Sequence, residues 1–538
     1  AKGIGLLRRS RNPNKPQVLT LLTKYVEGLN VTIAALKKKG QLPWEFKIAK
    51  IQPREWTVQD VLGIMYVVAF KMSFGFQAPL VRHYLHCVAG GDDPNSVYNK
   101  WFSRDTAEEV EGPETVESSQ WHLDKEELVQ AYIRAILSDD SNQDDGSGGG
   151  IGGILHPQPG QGSNAWCIHP THTAEGEGTL LANDPHLETG VPTFFYESHL
   201  CSQGKSGSSD DIHFAGMTVP GFPGMVLPGH NGDVAWGVTL SMCDVEDVYV
   251  ELFVGEEDNR LGFPLHYQSQ GRKKEVEVFE HEIRVAGRKE PVRYVSGNTV
   301  HGPIISSLGH GIQPAIDNLR GAPTLPEERY EIAFTARHLG EDLYKNLFVF
   351  YDVLRSNSAE AARRNFSKLI SPSLNICIAD RFGDIAYTLA GEVPLRNTPP
   401  GSEGFPLCGW TGEARWTGMV SGDDLPHTIN PAKGFVVSAN HKVIDFETTE
   451  YPHYLGDLWQ DPYRAQTIHD CLNARILSNK ALDVKTCEKI QGCVDSKDAG
   501  LEFVSHFKGM HFKDELVRAA VKEMRAWKGE LSKDSVGG

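Results

Sequence analysis

Gly162-Ser163-Asn164-Ala165-Trp166 is the stretch on which the reading of this chain turns. Directly before it the composition is that of a spacer. Asp139-Asp140-Ser141-Asn142-Gln143-Asp144-Asp145-Gly146 runs into Gly148-Gly149-Gly150-Ile151-Gly152-Gly153, and acidic, glycine-rich sequence buries too little apolar surface to fold. After Ser163 the texture turns β-rich. Trp166 to His169, Val245 to Phe253, Glu275 to Val285 and Pro291 to Val295 alternate or carry β-branched and aromatic residues, with Gly, Pro, Asn and Asp turns between them. Taken alone, the spacer reads as a domain linker and Ser163 as an ordinary loop serine.

Helical periodicity brackets this β-rich part. Upstream, Leu21, Leu22, Tyr25, Val26 and Leu29 mark a helix over Val18 to Leu36, stopped by Lys37-Lys38-Lys39-Gly40. Thr57 with Asp60 three positions on is a capping box for a second helix through Val61, Ile64, Met65 and Val68. A third is predicted from Lys125 to Leu137. Downstream, helices are predicted over Leu343 to Leu354, Ala359 to Leu369, Tyr463 to Ala474 and Asp514 to Trp527. No repeat at solenoid periods is visible. The sum is an α+β body behind a helical N-terminal part.

Composition excludes several classes. The 538 residues carry a net charge of −17, with 70 acids against 53 bases, which argues against a nucleic-acid partner, since phosphate binding needs a basic surface. The most apolar stretch, Val61 to Phe70, falls short of the roughly 18 residues a membrane span needs. Nine cysteines are too sparse for a disulfide scaffold; Cys487 and Cys493 are near enough to pair or to stand as free thiols. There is no G-x-S-x-G elbow, no H-E-x-x-H, no CxxC pair and no phosphate loop. His169 and His172 lack further identifiable metal ligands.

Other blocks change the picture. Leu180 to Leu187 reads Leu-Leu-Ala-Asn-Asp-Pro-His-Leu; Val219 to Gly224 reads Val-Pro-Gly-Phe-Pro-Gly; Pro228-Gly229-His230-Asn231-Gly232 leads to Ala235-Trp236-Gly237-Val238-Thr239. Asp244 to Asp247, His301-Gly302-Pro303, Gly434 to Asn440 and Trp459 to Arg464 follow. Together, in this order, they resemble the penicillin acylase family of N-terminal nucleophile hydrolases, which includes penicillin, cephalosporin and acyl-homoserine-lactone acylases.

The resemblance implies a four-layer αββα sandwich and a division into three. Residues 1–138 correspond to the helical small subunit, 139–162 to the spacer and 163–538 to the large catalytic subunit, with the start of the first and the end of the last expected to be missing. It implies a precursor that cuts itself between Gly162 and Ser163, the Ser163 hydroxyl attacking the Gly162 carbonyl. The freed α-amino group, of ordinary pKa about 7.7–8.0, then serves as the base on the nucleophile itself. The implied reaction is hydrolysis of an N-acyl amide through an acyl-enzyme, without an organic cofactor.

Family positions supply the other roles. The backbone N–H of Leu240 and the side-chain amide of Asn440 are the expected oxyanion donors, although an asparagine here could also be a turn residue. His186 is expected to hold the serine and its amine; its bland reading is a surface turn histidine, with Asn183 and Asp184 shaping that turn. Arg464 matches a family arginine near the asparagine, or simply starts a helix and pairs with an acid. Leu187 is the expected substrate contact, and with His186 it tilts the resemblance towards the cephalosporin and lactone acylases, hence an aliphatic acyl group. Asp244, Glu246 and Asp247 match a family calcium loop. A further carboxylate is missing near Pro79, so one structural calcium ion and an ordinary acidic turn both stay open. A periplasmic or secreted location follows from resemblance alone. The competing reading is an inactive relative that serves as a binding or structural protein.

Overall fold

The computed structural model describes residues 2–73, 162–187, 190–202, 212–253, 265–285, 287–304, 331–337, 342–397, 404, 407–410, 415–444, 451–456, 459–494, 504, 511, 513–527 and 529. The predicted helix at Lys125 to Leu137, the spacer at 139–161 and Pro79 lie outside these residues.

Eleven strands carry the body: β1 (Gly162–Ile168), β2 (Leu180–His186), β3 (Tyr196–Cys201), β4 (His213–Val219), β5 (Phe222–His230), β6 (Val234–Leu240), β7 (Asp247–Phe253), β8 (Leu374–Asp380), β9 (Ile385–Ala390), β10 (His427–Ile429) and β11 (Phe435–Ser438). Ten of them make two antiparallel sheets: a seven-stranded one in the order β10-β9-β8-β6-β5-β4-β3, and a three-stranded one in the order β2-β1-β11. The helices that bear on the site and its core are α1 (Lys2–Arg9), α2 (Lys15–Lys39), α3 (Val58–Lys71), α4 (Asn346–Val353), α5 (Ala359–Phe366), α6 (Tyr463–Leu477), α7 (Val484–Gln491) and α8 (Glu515–Ala526).

The strand period of two explains the layering. In β1, Ala165 and Cys167 face the large sheet and share its core with Cys377, Tyr387 and Leu389. Trp166 and Ile168 point the other way, into a core with Leu180, Phe435, Ile468 and Leu472 supplied by β2, β11 and α6. The far face of the large sheet is covered by α4 and α5, where Phe222 meets Phe350 and Trp236 meets Phe366 edge to face. The sequence of layers is therefore helix, sheet, sheet, helix, as the resemblance implied. Each buried large apolar side chain contributes roughly 1.5–3 kcal/mol, so a strand buried on both faces is among the last parts to open.

The N-terminal helices belong to this core. Ile4, Leu7, Leu22, Val26, Val61 and Met65 pack in the same cluster as the large sheet. Polar stitches add to it: Asn14 Nδ2 donates to Asp352 Oδ1 at 2.7 Å, and the Gly221 N–H donates to Tyr25 Oη at 3.1 Å. The predicted capping box is present, Thr57 and Asp60 closing the start of α3. Beside the sandwich, β7 pairs with Glu331–Arg337. His301 of the His301-Gly302-Pro303 block is buried against β7, bonding Glu251 at 2.8 Å and stacking on Tyr249. Cys487 and Cys493 are separate thiols. Among the described residues no helix is long and apolar enough to cross a membrane.

Candidate active site

Ser163 is the second residue of β1 and is 7% exposed. Its hydroxyl donates to the carbonyl oxygen of Gly162 at 2.6 Å, and its N–H donates to Asn440 Oδ1 at 2.6 Å. Asn440 reaches this place because β11 pairs with β1 in the register Ala165 to Ser438, so the chain leaving β11 passes the start of β1. It holds φ +64° there, the left-handed conformation that asparagine tolerates better than most side chains. The amide nitrogen of Asn440 donates to the carbonyl of Leu240 at 2.9 Å, bringing the end of β6 into the same site.

Arg464, in the first turn of α6, ties these pieces together. Nη1 donates to the Ser163 carbonyl at 2.8 Å and to Asn164 Oδ1 at 2.6 Å. Nη2 donates to Asn440 Oδ1 at 2.9 Å, to the Ala439 carbonyl at 2.8 Å, and to Gln460 Oε1. Burial is the main influence on this guanidinium and lowers its pKa, with the charge of Asp184 acting against it. Arg464 does start a helix, but its direct partners are neutral oxygens around the serine, not an acid.

The same arginine explains Gly162. A Cβ added to Gly162 would stand 2.9 Å from Arg464 Nη2 and 3.1 Å from its Cζ. Gly162→Val is therefore expected to displace Arg464 from the Ser163 carbonyl. Misplacement of this size costs about 10²-fold in rate, which is the slowing expected of any cleavage at the Gly162–Ser163 bond in an intact-mass time course.

His186 departs from its expected role. In the register of β1 and β2 it lies opposite Gly162, but its ring Nε2 sits 2.8 Å from Asp184 Oδ2 and 3.4 Å from Asn164 Nδ2. Asp184, two residues back on the same face of β2, takes the imidazole; the partner of the Ser163 nitrogen is Asn440. Asn183 and Asp184 also lie inside a strand instead of shaping a turn. Asn183 stitches the two sheets: Nδ2 donates to the Asn164 and Val238 carbonyls, and Oδ1 accepts from the Val238 N–H. Gly237 leaves room for it, since a Cβ there would stand 2.9 Å from Asn183 Cβ. Leu187 follows β2 and is exposed.

Behind the site, neutral polar groups cross between the sheets. Tyr387 Oη donates to Asn375 Oδ1, Asn375 Nδ2 donates to Thr239 Oγ1 and to the Leu240 carbonyl, and Thr239 bonds Ser438. These bonds tie the ends of β6 and β11 together. His441, beside Asn440, was not anticipated. Burial, then the charges of Arg464 and Lys433, push it down to about 4 from the ordinary 6.5. Between those values the unfolded chain binds a proton that the folded chain refuses, so stability falls as pH drops through this window, by on the order of 3 kcal/mol. Melting curves from pH 7 to 4 should show this fall, and His441→Gln should flatten it.

Asp244, Glu246 and Asp247 stand just before and at the start of β7, with Arg396 among them. That guanidinium, 6% exposed, lies 3.1 Å from Asp244 Oδ1 and 2.9 Å from Asp247 Oδ2, and also bonds the Asp244 carbonyl. Trp416 Nε1 donates to Asp247 as well. The Asp244 and Asp247 carboxylates that a calcium ion would use are thus held by an internal cation, an arrangement that fits arginine better than calcium. Arg396→Met leaves buried acids uncompensated, and a loss of about 3–5 kcal/mol is expected in chemical unfolding. Calcium added to chelator-treated protein should leave the melting temperature unchanged.

Comparison with known proteins follows this geometry. The chain is 27% identical to a penicillin acylase 2 proenzyme of Pseudomonas sp. over 89% of its own length and 54% of the relative's. It is 28% identical to an acyl-homoserine lactone acylase of Pseudomonas aeruginosa over 61% of this chain and 35% of that protein. The chain thus spans about half or less of the length of these relatives. A thermostable penicillin G acylase from Alcaligenes faecalis shares the fold, with a TM-score of 0.52 and 21% identity over 69% of this chain and 60% of that one. With the penicillin amidase family matching residues 5–538, the chain belongs to that family.

Proposed function

We propose that this chain is a self-cutting amide hydrolase precursor in which Ser163 becomes the N-terminal nucleophile. The observation that carries the reading is the double engagement of Ser163, its hydroxyl on the Gly162 carbonyl and its nitrogen on Asn440.

In maturation the Ser163 oxygen adds to the Gly162 carbonyl carbon, the carbon–nitrogen bond breaks, and the nitrogen leaves as the free amine of Ser163. Water then opens the resulting ester, leaving Gly162 as a carboxylate. Arg464 keeps the Ser163 carbonyl in place and Asn440 retains the nitrogen. The freed amine inherits the Asn440 contact, and a nearby guanidinium favours its neutral, basic form. In turnover this amine takes the hydroxyl proton as Ser163 attacks the substrate carbonyl. It passes the proton to the leaving amine, and water hydrolyses the acyl-enzyme. The Asn440 amide, which here donates to the Leu240 carbonyl, and the Leu240 backbone N–H are the donors assigned to the oxyanion.

The substrate class is an N-acyl amide, with penicillin and acyl-homoserine lactone acylases among the relatives and a proenzyme by name among them. An aliphatic acyl group remains the preferred choice. The shared core of α1 to α3 with the large sheet supports two chains that stay together after cutting. The presence of Ser163, Asn440 and Arg464 in one bonded cluster disfavours an inactive binding protein. Intact mass and N-terminal sequencing of the purified protein test the reading. Two chains are expected, the larger beginning Ser-Asn-Ala-Trp; a single uncut chain that still turns over an acyl amide would sink it.

A further inference from the structure

The outer edge of the seven-stranded sheet carries a cluster that the acylase chemistry does not use. Strands β3 and β4 pair antiparallel, with Cys201 opposite His213 and His199 opposite Ala215. Directly opposed residues and those two apart share a face, so all three chemistry-bearing side chains lie together, opposite the face that buries Phe214. His199 Nε2 is 3.0 Å from His213 Nε2, and Cys201 Sγ is 3.4 Å from His199 Nε2. The three candidate donor atoms all lie within 4.8 Å of one another.

These distances have a chemical meaning. Zinc bound tetrahedrally by imidazole nitrogen and thiolate sets its donor atoms roughly 3.3–3.8 Å apart, from bond lengths of about 2.0–2.3 Å. The His199–His213 and Cys201–His199 separations differ from these by only a few tenths of an ångström, within reach of small side-chain rotations. The three residues are exposed, which leaves a fourth corner to water.

We infer that His199, Cys201 and His213 form a zinc site that clips the edge strand β3 to β4. Borderline-soft nitrogen and sulfur donors select zinc over calcium or magnesium. An edge strand is the part of a sheet with the fewest partners, so a cross-strand metal clip stabilises it where hydrogen bonding alone is one-sided.

The test uses the whole chain, freed of metal by chelator, with zinc measured by equilibrium dialysis and cobalt as the optical probe. One zinc per chain is expected, together with a tetrahedral cobalt spectrum that carries a thiolate charge-transfer band. Cys201→Ser should remove that band, and His213→Gln should weaken zinc binding by about 10-fold or more, since even outer-shell changes cost 10–100-fold. Both variants replace exposed side chains, and circular dichroism of the metal-free forms checks that they fold. Equal zinc binding by wild type and both variants would overturn the site. So would a wild-type cobalt spectrum without the thiolate band, a result that depends on no variant. Neither outcome bears on cleavage at Ser163.

Discussion

On the proposed mechanism, Ser163→Ala is expected to accumulate as one uncut chain with no acylase turnover, the loss approaching about 10⁶-fold as for other removed serine nucleophiles. Two functions disappear at once. Without the hydroxyl the Gly162 carbonyl is not attacked, and without that attack the amine that would act as base is never released. The fold should survive. The hydroxyl's recorded partner is the adjacent Gly162 carbonyl, and the net loss of one hydrogen bond costs about 1 kcal/mol. Circular dichroism and the melting temperature of the uncut variant should therefore match those of a precursor trapped before cleavage. Ser163→Cys is the companion variant: it keeps a nucleophile at the same place and should still produce a new N-terminus, now cysteine. Normal processing of Ser163→Ala would remove Ser163 from the mechanism altogether.

Asn440→Gly should lower kcat by about 10²–10³-fold, the usual cost of one oxyanion donor, while KM changes little. Glycine is the informative replacement because Asn440 holds φ +64°; glycine adopts that conformation freely, whereas alanine would add backbone strain. The variant thus isolates the side chain. Its oxygen accepts from the Ser163 nitrogen and from Arg464, and its amide donates to the Leu240 carbonyl. Removing it deprives the mature amine of its acceptor as well as the oxyanion of a donor, so the upper end of the range is expected. Mass spectrometry should show slower maturation in parallel, since the same groups flank the bond to be cut. A kcat within tenfold of wild type would show that Asn440 is only a turn residue.

Much of the fold was legible where local signals are strong. The helix over Val18 to Leu36 runs from Lys15 to Lys39, stopped by Gly40 at φ +66°. Asp514, placed at the start of the last predicted helix, caps α8 by accepting from the Val517 N–H. The strands β8 and β9 escaped notice. Every residue of both is buried, so Leu374-Asn375-Ile376-Cys377-Ile378-Ala379-Asp380 shows no alternation, and periodicity cannot separate such a run from a short buried helix. In the site, Ser163, Leu240, Asn440 and Arg464 were found through ordered motifs, whereas Arg396, Gln460 and His441 were not. Arg396 lies about 150 residues from its acids, and nothing local marks such a partner.

Order along the chain determined the family and singled out Gly162–Ser163 and the acidic, glycine-rich stretch before it, because these depend on residue type and neighbours. The tertiary structure alone decided what each residue touches. It moved His186 onto Asp184, gave the Ser163 nitrogen to Asn440, made Gly162 the space that Arg464 occupies, and set Arg396 among the acids expected to hold calcium. The reason is the same in each case. A buried charge or polar group takes the partner that packing brings within reach, and packing between layers joins segments whose separation in sequence says nothing of their distance in space.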